Sequence, residues 1–332
     1  MILSLEILMK PPYKITTKIL TLVSLISERI GEINSAHLSK PPTELRKRNR
    51  IKTIQSSLEI EGNTLTIEQI TAIFENKRVL GPKKDIIEVK NAIAVYDQLV
   101  EFEPYSFKSF CKAHRILMEG LIESPGKIRN KSVGIVKGSK LAHIAPPSEM
   151  VKPLMNDLFN YLKNDENLLL IKSCVFHYEL EFIHPFLDGN GRMGRLWQTV
   201  ILMDKYPVFE YLPVEALIKE KQNEYYDALS KSDKTGESTL FIEFILEIIK
   251  ESLEDLLKTQ NIALTNLDRI SIYSSIIKDE YFNRKDYLRN FKEISSATAS
   301  RDLQYAVENG IIEKIGDKNT TKYKYRKKTN KA

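Results

Sequence analysis

The fold of this chain must accommodate a glycine-rich turn between two apolar segments. The sequence has 13 glycines in 332 residues, and three of them, Gly189, Gly191 and Gly194, fall within six residues. Apolar residues precede this turn and follow it as far as Met203 at helical spacing. Scarce glycine is typical of a mostly helical protein, and a glycine cluster then marks a tight turn or a close approach of the backbone. The segment 184–195 therefore predicts a turn that opens a helix.

The remaining pattern predicts an all-α fold with two small β-hairpins. Apolar residues recur at helical spacing from residue 15 to about 257, except near 133–147, where the sequence alternates weakly and predicts a short hairpin. From about residue 265 the pattern reads helix, helix, helix, hairpin. Within about 60 residues, that order is typical of a winged helix-turn-helix unit.

Composition excludes several classes of protein. Hydrophobic residues make up 42% of the chain and charged residues 28%, which excludes wholesale disorder and collagen-like sequence. No apolar run approaches the roughly 20 residues that span a bilayer, and we expect no membrane partner. The two cysteines, Cys111 and Cys174, form no metal-binding spacing, and a disulfide framework is not expected. These features favour a cytoplasmic location.

The net charge of +6 resides at the C-terminal end. Residues 313–332 hold eight Lys or Arg and two Asp or Glu, while the remainder holds 42 of each sign. A basic end is either a solvated tail or a contact for nucleic acid, and charge alone leaves both interpretations open.

The glycine-rich turn is suited to bind phosphate. Gly189 and Gly191 flank Asn190 at a predicted helix start, where unpaired N–H groups and the helix dipole attract anions. Arg192 and Arg195 are three residues apart and share a helix face, and guanidinium groups bind phosphate oxygens in pairs.

An acid and a base precede the same turn. Asp188 can hold a divalent cation, since Mg²⁺ takes one or two carboxylates together with substrate phosphates. His184 lies four residues earlier and titrates near neutral pH, as a general base must. The convergence of base, carboxylate, anion site and two arginines makes an incidental helix start an inadequate explanation.

This segment resembles the signature of the Fic family, H-x-F-x-[D/E]-G-N-G-R-x-x-R. Every fixed position is matched, by His184, Phe186, Asp188, Gly189, Asn190, Gly191, Arg192 and Arg195. The resemblance implies an all-α Fic core and transfer of AMP from ATP to a Ser, Thr or Tyr hydroxyl of a protein. A related branch of the family phosphorylates its target and has lysine in place of the second glycine. Because this chain has Gly191, kinase-type chemistry is the less favoured outcome.

The resemblance also implies a role for each residue of the segment. His184 would be the catalytic base, and Asp188 would hold Mg²⁺ or Mn²⁺ on the α- and β-phosphates of ATP. Arg192 would bind the β-phosphate and Arg195 the γ-phosphate. The full set expected to bind ATP comprises Gly189, Asn190, Gly191, Arg192, Gly194, Arg195, Tyr225 and Tyr226.

A second motif fits the family's inhibitory signature, [S/T]-x-x-x-E-[G/N]. It comprises Ser57, Glu61 and Gly62, in a predicted inhibitory helix over about 52–62. Ser57 and Glu61 are expected to share a helix face, and the resemblance implies that Glu61 pairs with Arg195 where the γ-phosphate must bind. The alternative is an ordinary helix end with a glycine cap.

Two further matches are less specific. The predicted hairpin corresponds to the family's flap, which would pair with the target backbone through Val133, Gly134, Ile135, Val136, Lys137 and Gly138. An ordinary surface hairpin is the alternative.

Tyr225 and Tyr226 resemble a pair that lines the adenine pocket in some Fic proteins, or they are core aromatics. His177 is either a partner of the site or a core histidine.

The expected organisation has four parts. They are an N-terminal helical region over 1–100, a Fic core over 101–258, a winged helix-turn-helix over 265–327 and a basic tail over 328–332. The candidates for contact with DNA in the winged unit are Thr298, Ser300, Arg301, Lys322 and Lys324. Contact with another protein is the alternative.

Three functions remain open from the sequence. The leading one is an auto-inhibited protein adenylyltransferase that acts on an unidentified target protein, and self-modification is included. The second is removal of AMP from a modified protein by the same residues, with Glu61 orienting a water. The third is a DNA-binding regulator in which the Fic core is a sensor. The resemblance leaves a homodimer open, and the sequence carries no interface signal.

Overall fold

The computed structural model describes residues 10–35, 41–131, 134–137, 140–258, 264–277, 280–291, 294–317 and 321–326. These residues divide into two compact units. The first contains the described residues of 1–40 and 47–259, and the second contains 41–46 and the described residues from 260 onwards. The expected basic tail at 328–332 lies outside the described residues.

The first unit is built of helices, as the sequence predicts. They are α1 (Thr17–Ser35), α2 (Thr43–Ile60), α3 (Ile67–Phe74), α4 (Lys83–Tyr96), α5 (Phe107–Leu117), α6 (Ser148–Asn164), α7 (Leu169–Ile183), α8 (Asn190–Met203), α9 (Val214–Glu220), α10 (Gln222–Thr235) and α11 (Thr239–Lys258). Two 3₁₀ turns, Leu99–Glu101 and Pro207–Tyr211, separate some of them. Helices α7 and α8 are buried almost all round, and the glycine-rich turn connects them.

A single antiparallel hairpin interrupts the described helices of the first unit. Strand β1 (Gly134–Lys137) pairs with β2 (Lys140–Ile144), with Gly134 opposite Ile144 and a shift of register after Ile135. The hairpin predicted from the alternating sequence is therefore present. Of the residues predicted to form the flap, Val133 and Gly138 lie outside the described part of the chain.

Helix α2 ends earlier than the sequence predicts. The predicted helix over about 52–62 ends at Ile60, and Glu61 and Gly62 lie in a turn. Gly62 has a φ of 91°, its N–H bonds to the carbonyl of Glu59, and Asn63 N–H bonds to the carbonyl of Leu58. This is a Schellman motif, in which glycine adopts the left-handed conformation at low cost.

The second unit has the predicted order of three helices and a hairpin. Its elements are α12 (Asn266–Ile277), α13 (Arg284–Asn290), α14 (Ser296–Glu308), β3 (Ile312–Ile315) and β4 (Lys322–Tyr325). Phe282, just before α13, also exchanges two backbone hydrogen bonds with Tyr323 of β4. This extra strand position was not predicted, because one bridged residue leaves no alternating pattern. Aromatic and aliphatic side chains from all three helices form a separate core.

The first turn of α2 is grouped with the second unit. The backbone N–H and the hydroxyl of Thr43 both donate to Asp268 Oδ1, at 2.9 Å each. Asp268 Oδ2 accepts from the N–H and hydroxyl of Thr265 at the start of α12. One carboxylate thus holds the beginnings of two helices. Among the described residues, no helix is both long and apolar enough to cross a membrane.

Candidate active site

His184 occupies a tight turn at the end of α7. It has φ 51° and ψ 61°, a left-handed conformation that is rare for residues other than glycine, and its N–H bonds to the carbonyl of Leu180. The ring Nδ1 lies 3.4 Å from the carbonyl oxygen of Glu181. A proton on Nδ1 suits this contact.

Arg129 holds this turn in place, and sequence reasoning missed it. Its buried guanidinium donates to the carbonyls of His184, Ile183, Pro146 and Lys131, at 2.8, 3.2, 2.6 and 2.9 Å. Pro146 and Lys131 lie on either side of the hairpin. Arg129 therefore connects the catalytic turn to both ends of the predicted flap. Its nearest partner in the turn is 54 residues away, so no local spacing could reveal the connection.

His114 contacts the same turn through Phe186 and Asp188, and the sequence analysis assigned it no role. Its ring stacks on Phe186 with centroids 3.5 Å apart and planes 6° from parallel. Nδ1 accepts from the N–H of Gly126 at 2.8 Å, which places the ring proton on Nε2, and Nε2 donates to the carbonyl of Asp188 at 3.0 Å. Burial lowers the pKa of His114 to about 4, so the ring is neutral at pH 7.

The backbone after Asp188 forms the expected helix start. Gly189 has a φ of 83°, and α8 begins at Asn190. The side chain of Asn190 accepts from Phe186 N–H and donates to Phe186 O, both at 2.9 Å. Asn190 therefore braces the loop with its side chain. The N–H groups that open α8 remain to bind an anion.

Asp188 fits a cation that is mainly held by phosphates. Its side chain is 50% exposed, and Oδ1 accepts from Gly189 N–H at 2.6 Å and from Arg192 Nη2 at 3.3 Å. The described residues contain no group of three or more metal-ligating side chains. One half-exposed carboxylate beside an anion site suits Mg²⁺, which takes its remaining ligands from substrate phosphates and water.

Arg192 is buried and paired with two carboxylates. Its side chain is 4% exposed, Nη1 donates to Glu88 Oε1 at 3.0 Å, and Nη2 lies against Asp188. Glu88 belongs to α4, 104 residues away, and sequence reasoning missed it. A buried guanidinium of this kind requires a counter-charge.

Arg195 of α8 forms an ion pair with Glu61 in the turn after α2. Arg195 Nη2 donates to Glu61 Oε1 at 2.8 Å and to the carbonyl of Ser57 at 3.0 Å, and Nε donates to Ser57 Oγ at 3.2 Å. Burial alone would lower the pKa of Arg195, but the carboxylate of Glu61 raises it above its usual value. A Cβ at Gly191 would lie 2.6 Å from Glu61 Oε1, so glycine leaves the space that Glu61 occupies.

Gly194 lies where α7 and α8 approach each other. It was expected among the ATP-binding residues, but it faces α7, where a Cβ would lie 2.7 Å from His177 Cδ2 and 3.0 Å from Glu181 Oε1. The absence of a side chain at Gly194 lets α7 and α8 approach closely. A phosphate contact at Gly194 stays a prediction.

His177 and Tyr225 belong to the core. His177 is fully buried, Nδ1 donates to Gln198 Oε1 at 2.8 Å, and Nε2 accepts from the Tyr225 hydroxyl at 3.1 Å. Burial lowers the pKa of His177 to about 3. Of the predicted adenine pair, Tyr225 is 1% exposed, while Tyr226 is only half-buried. The packing of Tyr225 agrees with the core interpretation, and Tyr226 is the more accessible of the two.

The residues considered for DNA contact lie in the second unit. Arg301 and Lys322 are exposed, and Thr298, Ser300 and Lys324 are half-buried. Ser300 Oγ accepts from Arg284 Nη1 at 2.9 Å, and Arg301 Nη2 donates to Thr298 Oγ1 at 3.3 Å. The ammonium of Lys324 lies 4.9 Å from the centroid of the Tyr281 ring.

Comparisons with known proteins show which family the chain resembles. The family model described as Fic/DOC family matches residues 104–202. The chain is 39% identical to a Fic family protein from Desulfovibrio desulfuricans G20, whose crystal structure it matches with a TM-score of 0.74 over 96% of this chain and 99% of that one.

Two relatives carry the name protein adenylyltransferase. The protein adenylyltransferase Fic of Nematostella vectensis is 27% identical over 250 residues, which is 71% of this chain. The protein adenylyltransferase fic-1 of Caenorhabditis briggsae is 30% identical over 217 residues, which is 60% of this chain. The chain spans 56% and 40% of the lengths of these two relatives.

Proposed function

This chain belongs to the Fic family, and we propose that it transfers AMP from ATP to a Ser, Thr or Tyr hydroxyl of a protein. One observation carries the proposal. The left-handed Gly189 and the start of α8 put open N–H groups beside two buried arginines and one half-exposed carboxylate. That set suits a polyphosphate, and His184 supplies the base at the preceding turn. The names of the two relatives support adenylyl transfer over other uses of ATP.

The chemistry follows from the positions of these groups. The target hydroxyl loses its proton to Nε2 of His184 while its oxygen bonds to the α-phosphorus of ATP. The bond from that phosphorus to the bridging oxygen of the β-phosphate breaks, and pyrophosphate leaves. The open N–H groups of α8 and the guanidinium of Arg192 stabilise charge on the phosphates. A divalent cation at Asp188, when bound, would neutralise further phosphate charge.

The contact of Glu61 with Arg195 supports auto-inhibition. Arg195 is the residue that the resemblance assigns to the γ-phosphate, and its Nη2 is engaged by Glu61 Oε1. A carboxylate at this position repels the phosphate and competes for the same donor. We therefore expect productive ATP binding to require displacement of the turn that carries Glu61.

Label transfer from ATP labelled on its α-phosphate tests the proposal. We expect Glu61→Gly to transfer at least about tenfold more label than the natural sequence, because losing one charge-assisted contact changes an equilibrium by about that factor. Adding His184→Ala should abolish the signal. The matched control is Glu59→Gly, at an exposed position two residues before Glu61, and it should leave transfer low. Each variant is incubated alone and with a cell lysate in the presence of Mg²⁺.

The outcomes separate the functions that share this site. Label in Glu61→Gly but not in its His184→Ala derivative supports adenylyl transfer, the base and the inhibition together. An absence of transfer with intact ATP binding would contradict the proposal and favour removal of AMP from a modified target. Equal transfer by Glu61→Gly and the natural sequence would contradict the inhibitory role of Glu61.

The surface of α14 favours duplex DNA as a second candidate ligand, for the second unit. Asp302 is the single acidic residue of the sequence from 295 to 307, and it is 2% exposed. Arg269 engages both of its oxygens at 2.6 and 2.9 Å, and Tyr287 donates to it at 3.2 Å. Over those residues, the face that carries Arg301 therefore presents no carboxylate, which would repel the phosphates of DNA.

A DNA titration at several salt concentrations tests this second proposal. We expect affinity to fall steeply with salt, and Arg301→Ala to reduce the logarithmic salt slope by about one. Gln304→Ala, an uncharged exposed position one turn later, is the control and should keep the slope. The unit has a different partner if no duplex binds at low salt.

A further inference from the structure

Glu88 connects the phosphate site to a helix that the family signature does not include. It lies on α4, its side chain is 6% exposed, and its Oε1 accepts from Arg192 Nη1 at 3.0 Å. Arg192 is itself 4% exposed. Two buried charges at this separation depend on each other, because removing either takes away the shorter ion pair of the other.

The contact with Glu88 uses Nη1 of the Arg192 guanidinium and does not use its other nitrogen atoms. Arg192 Nε is buried and has no hydrogen-bond partner among the residues that the structure describes. Nη2 reaches Asp188 Oδ1 at 3.3 Å, a long contact for an ion pair. Arg192 is therefore held through Nη1 and keeps donors for an anion beside the start of α8.

Glu88 is itself fixed at its second oxygen. Oε2 accepts from Asn63 Nδ2 at 2.9 Å, and the same amide nitrogen also donates to the carbonyl of Asp85 at 3.2 Å. Oε1 has a further neighbour, the exposed Lys84 ammonium at 3.9 Å. A carboxylate held at both oxygens can hold its guanidinium in one orientation.

We propose that Glu88 is a positioning residue, which orients Arg192 to bind the β-phosphate of the nucleotide. The inference rests on the proposed function, since it takes the bound nucleotide to be ATP. Without Glu88, the buried guanidinium would lose its fixed partner and turn toward Asp188 or toward solvent. Binding of nucleotides that carry a β-phosphate would then weaken, whereas binding of AMP would not.

Calorimetric titration with ADP and with AMP tests this inference without any transfer reaction. All variants are made in the Glu61→Gly chain, so that Glu61 does not compete. Glu88→Gln should weaken ADP binding about tenfold, the factor expected when a buried charged donor loses its partner, and AMP binding should change less than about twofold. Asp85→Asn is the matched control, because Asp85 is a buried acid of the same helix whose carboxylate bonds to Thr64.

The titrations with ADP and AMP distinguish a positioning role of Glu88 from a purely structural one. The inference is overturned if Glu88→Gln keeps the parent's affinity for ADP, or if ADP and AMP lose affinity by the same factor. If Glu88→Gln alone unfolds, the neutral pair Glu88→Gln/Arg192→Gln removes both charges, and it should bind ADP no more weakly than Arg192→Gln. A parent chain that binds ADP yet transfers no AMP would contradict the proposed function and leave this binding comparison intact.

Discussion

His114 shows how one buried side chain can fix the geometry of a catalytic turn. The ring contacts Gly126 through Nδ1 and Asp188 through Nε2, and it stacks on Phe186. Both ring nitrogens are used in the neutral form. Protonation of Nδ1 would replace an accepted hydrogen bond with a clash of two donors, which agrees with the lowered pKa of about 4.

The stability of the chain should depend on pH through His114. Between about pH 6.5 and 4 the unfolded chain binds a proton on this histidine and the folded chain does not. The free energy of unfolding therefore falls as pH falls through this window, by up to about 1.4 kcal/mol per pH unit for one group. Urea unfolding at pH 7, 6 and 5 should show a smaller fall for His114→Gln than for the parent.

The comparison with the parent is needed because other groups act in the opposite direction. Burial raises the pKa of Glu181 and of Glu215 to about 7, so each contributes stability that is lost as pH rises from about 4.5 to 7. These terms are common to parent and variant. An identical pH dependence in both chains would show that His114 does not remain neutral in the folded state.

Gly194 gives a second prediction at the scale of one residue. A methyl group there would lie 2.7 Å from a ring carbon of the buried His177, so Gly194→Ala should lower the free energy of unfolding by about 1–3 kcal/mol. Gly31→Ala is the control in α1, since its Cβ would have no atom within 4 Å. That variant should be neutral or slightly stabilising. Equal effects would contradict close packing at Gly194.

The predicted flap is fixed to the catalytic turn by an arginine that belongs to neither element. Arg129 donates to carbonyls at both ends of the hairpin and at the end of α7. Carbonyl groups at a helix end need partners, and one guanidinium supplies several donors in a fixed plane. The orientation of His184 and the placement of the hairpin ends therefore depend on the same side chain.

Replacing Arg129 should impair transfer more than nucleotide binding. In the Glu61→Gly chain, Arg129→Gln should lower kcat/KM for the target protein by about tenfold or more, because it loses several buried hydrogen bonds of about 1 kcal/mol each. Affinity for ADP should change little. Arg115→Gln, an exposed arginine of α5, serves as the control. A loss of ADP affinity as large as the loss of transfer would contradict this role.

Local sequence patterns predicted the elements better than their connections. The turn at Gly189, the start of α8 and both hairpins follow from glycine placement and alternation, which act over a few residues. The end of α2 was misplaced because the rule of four-residue spacing assumes that the helix continues to Glu61, whereas Gly62 ends it. The partners Glu88, Arg129 and His114 carry no local signal, since each contacts the site from 54 or more residues away.

At the scale of the whole molecule, the two units have separate cores. Leu303 is fully buried in the core of the second unit, and Trp197, the single tryptophan of the sequence, is fully buried in the first. Leu303→Ala should lower the stability of the second unit by about 2–5 kcal/mol, the usual cost of a cavity. Part of the helical circular dichroism should then be lost at lower urea than the change in tryptophan fluorescence.

A cavity in the core of the first unit provides the control for Leu303→Ala. Ile245→Ala creates a cavity in the core of the first unit, and it should shift the fluorescence transition to lower urea. If Leu303→Ala shifts fluorescence and circular dichroism together, the two units unfold as one cooperative body. The prediction of separate stability would then be wrong.

Helix α2 fixes the direction in which Glu61 points. Within the first unit, Asn49 in its second turn donates to the carbonyl of Tyr211 at 2.9 Å, and its last turn leads directly into Glu61. Each residue of an α-helix turns the chain by about 100° and advances it by about 1.5 Å. A one-residue insertion within α2 would therefore rotate Glu61 away from Arg195, although every residue at the site would be unchanged. The number of residues from Asn49 to Glu61 is therefore part of the inhibition that we propose.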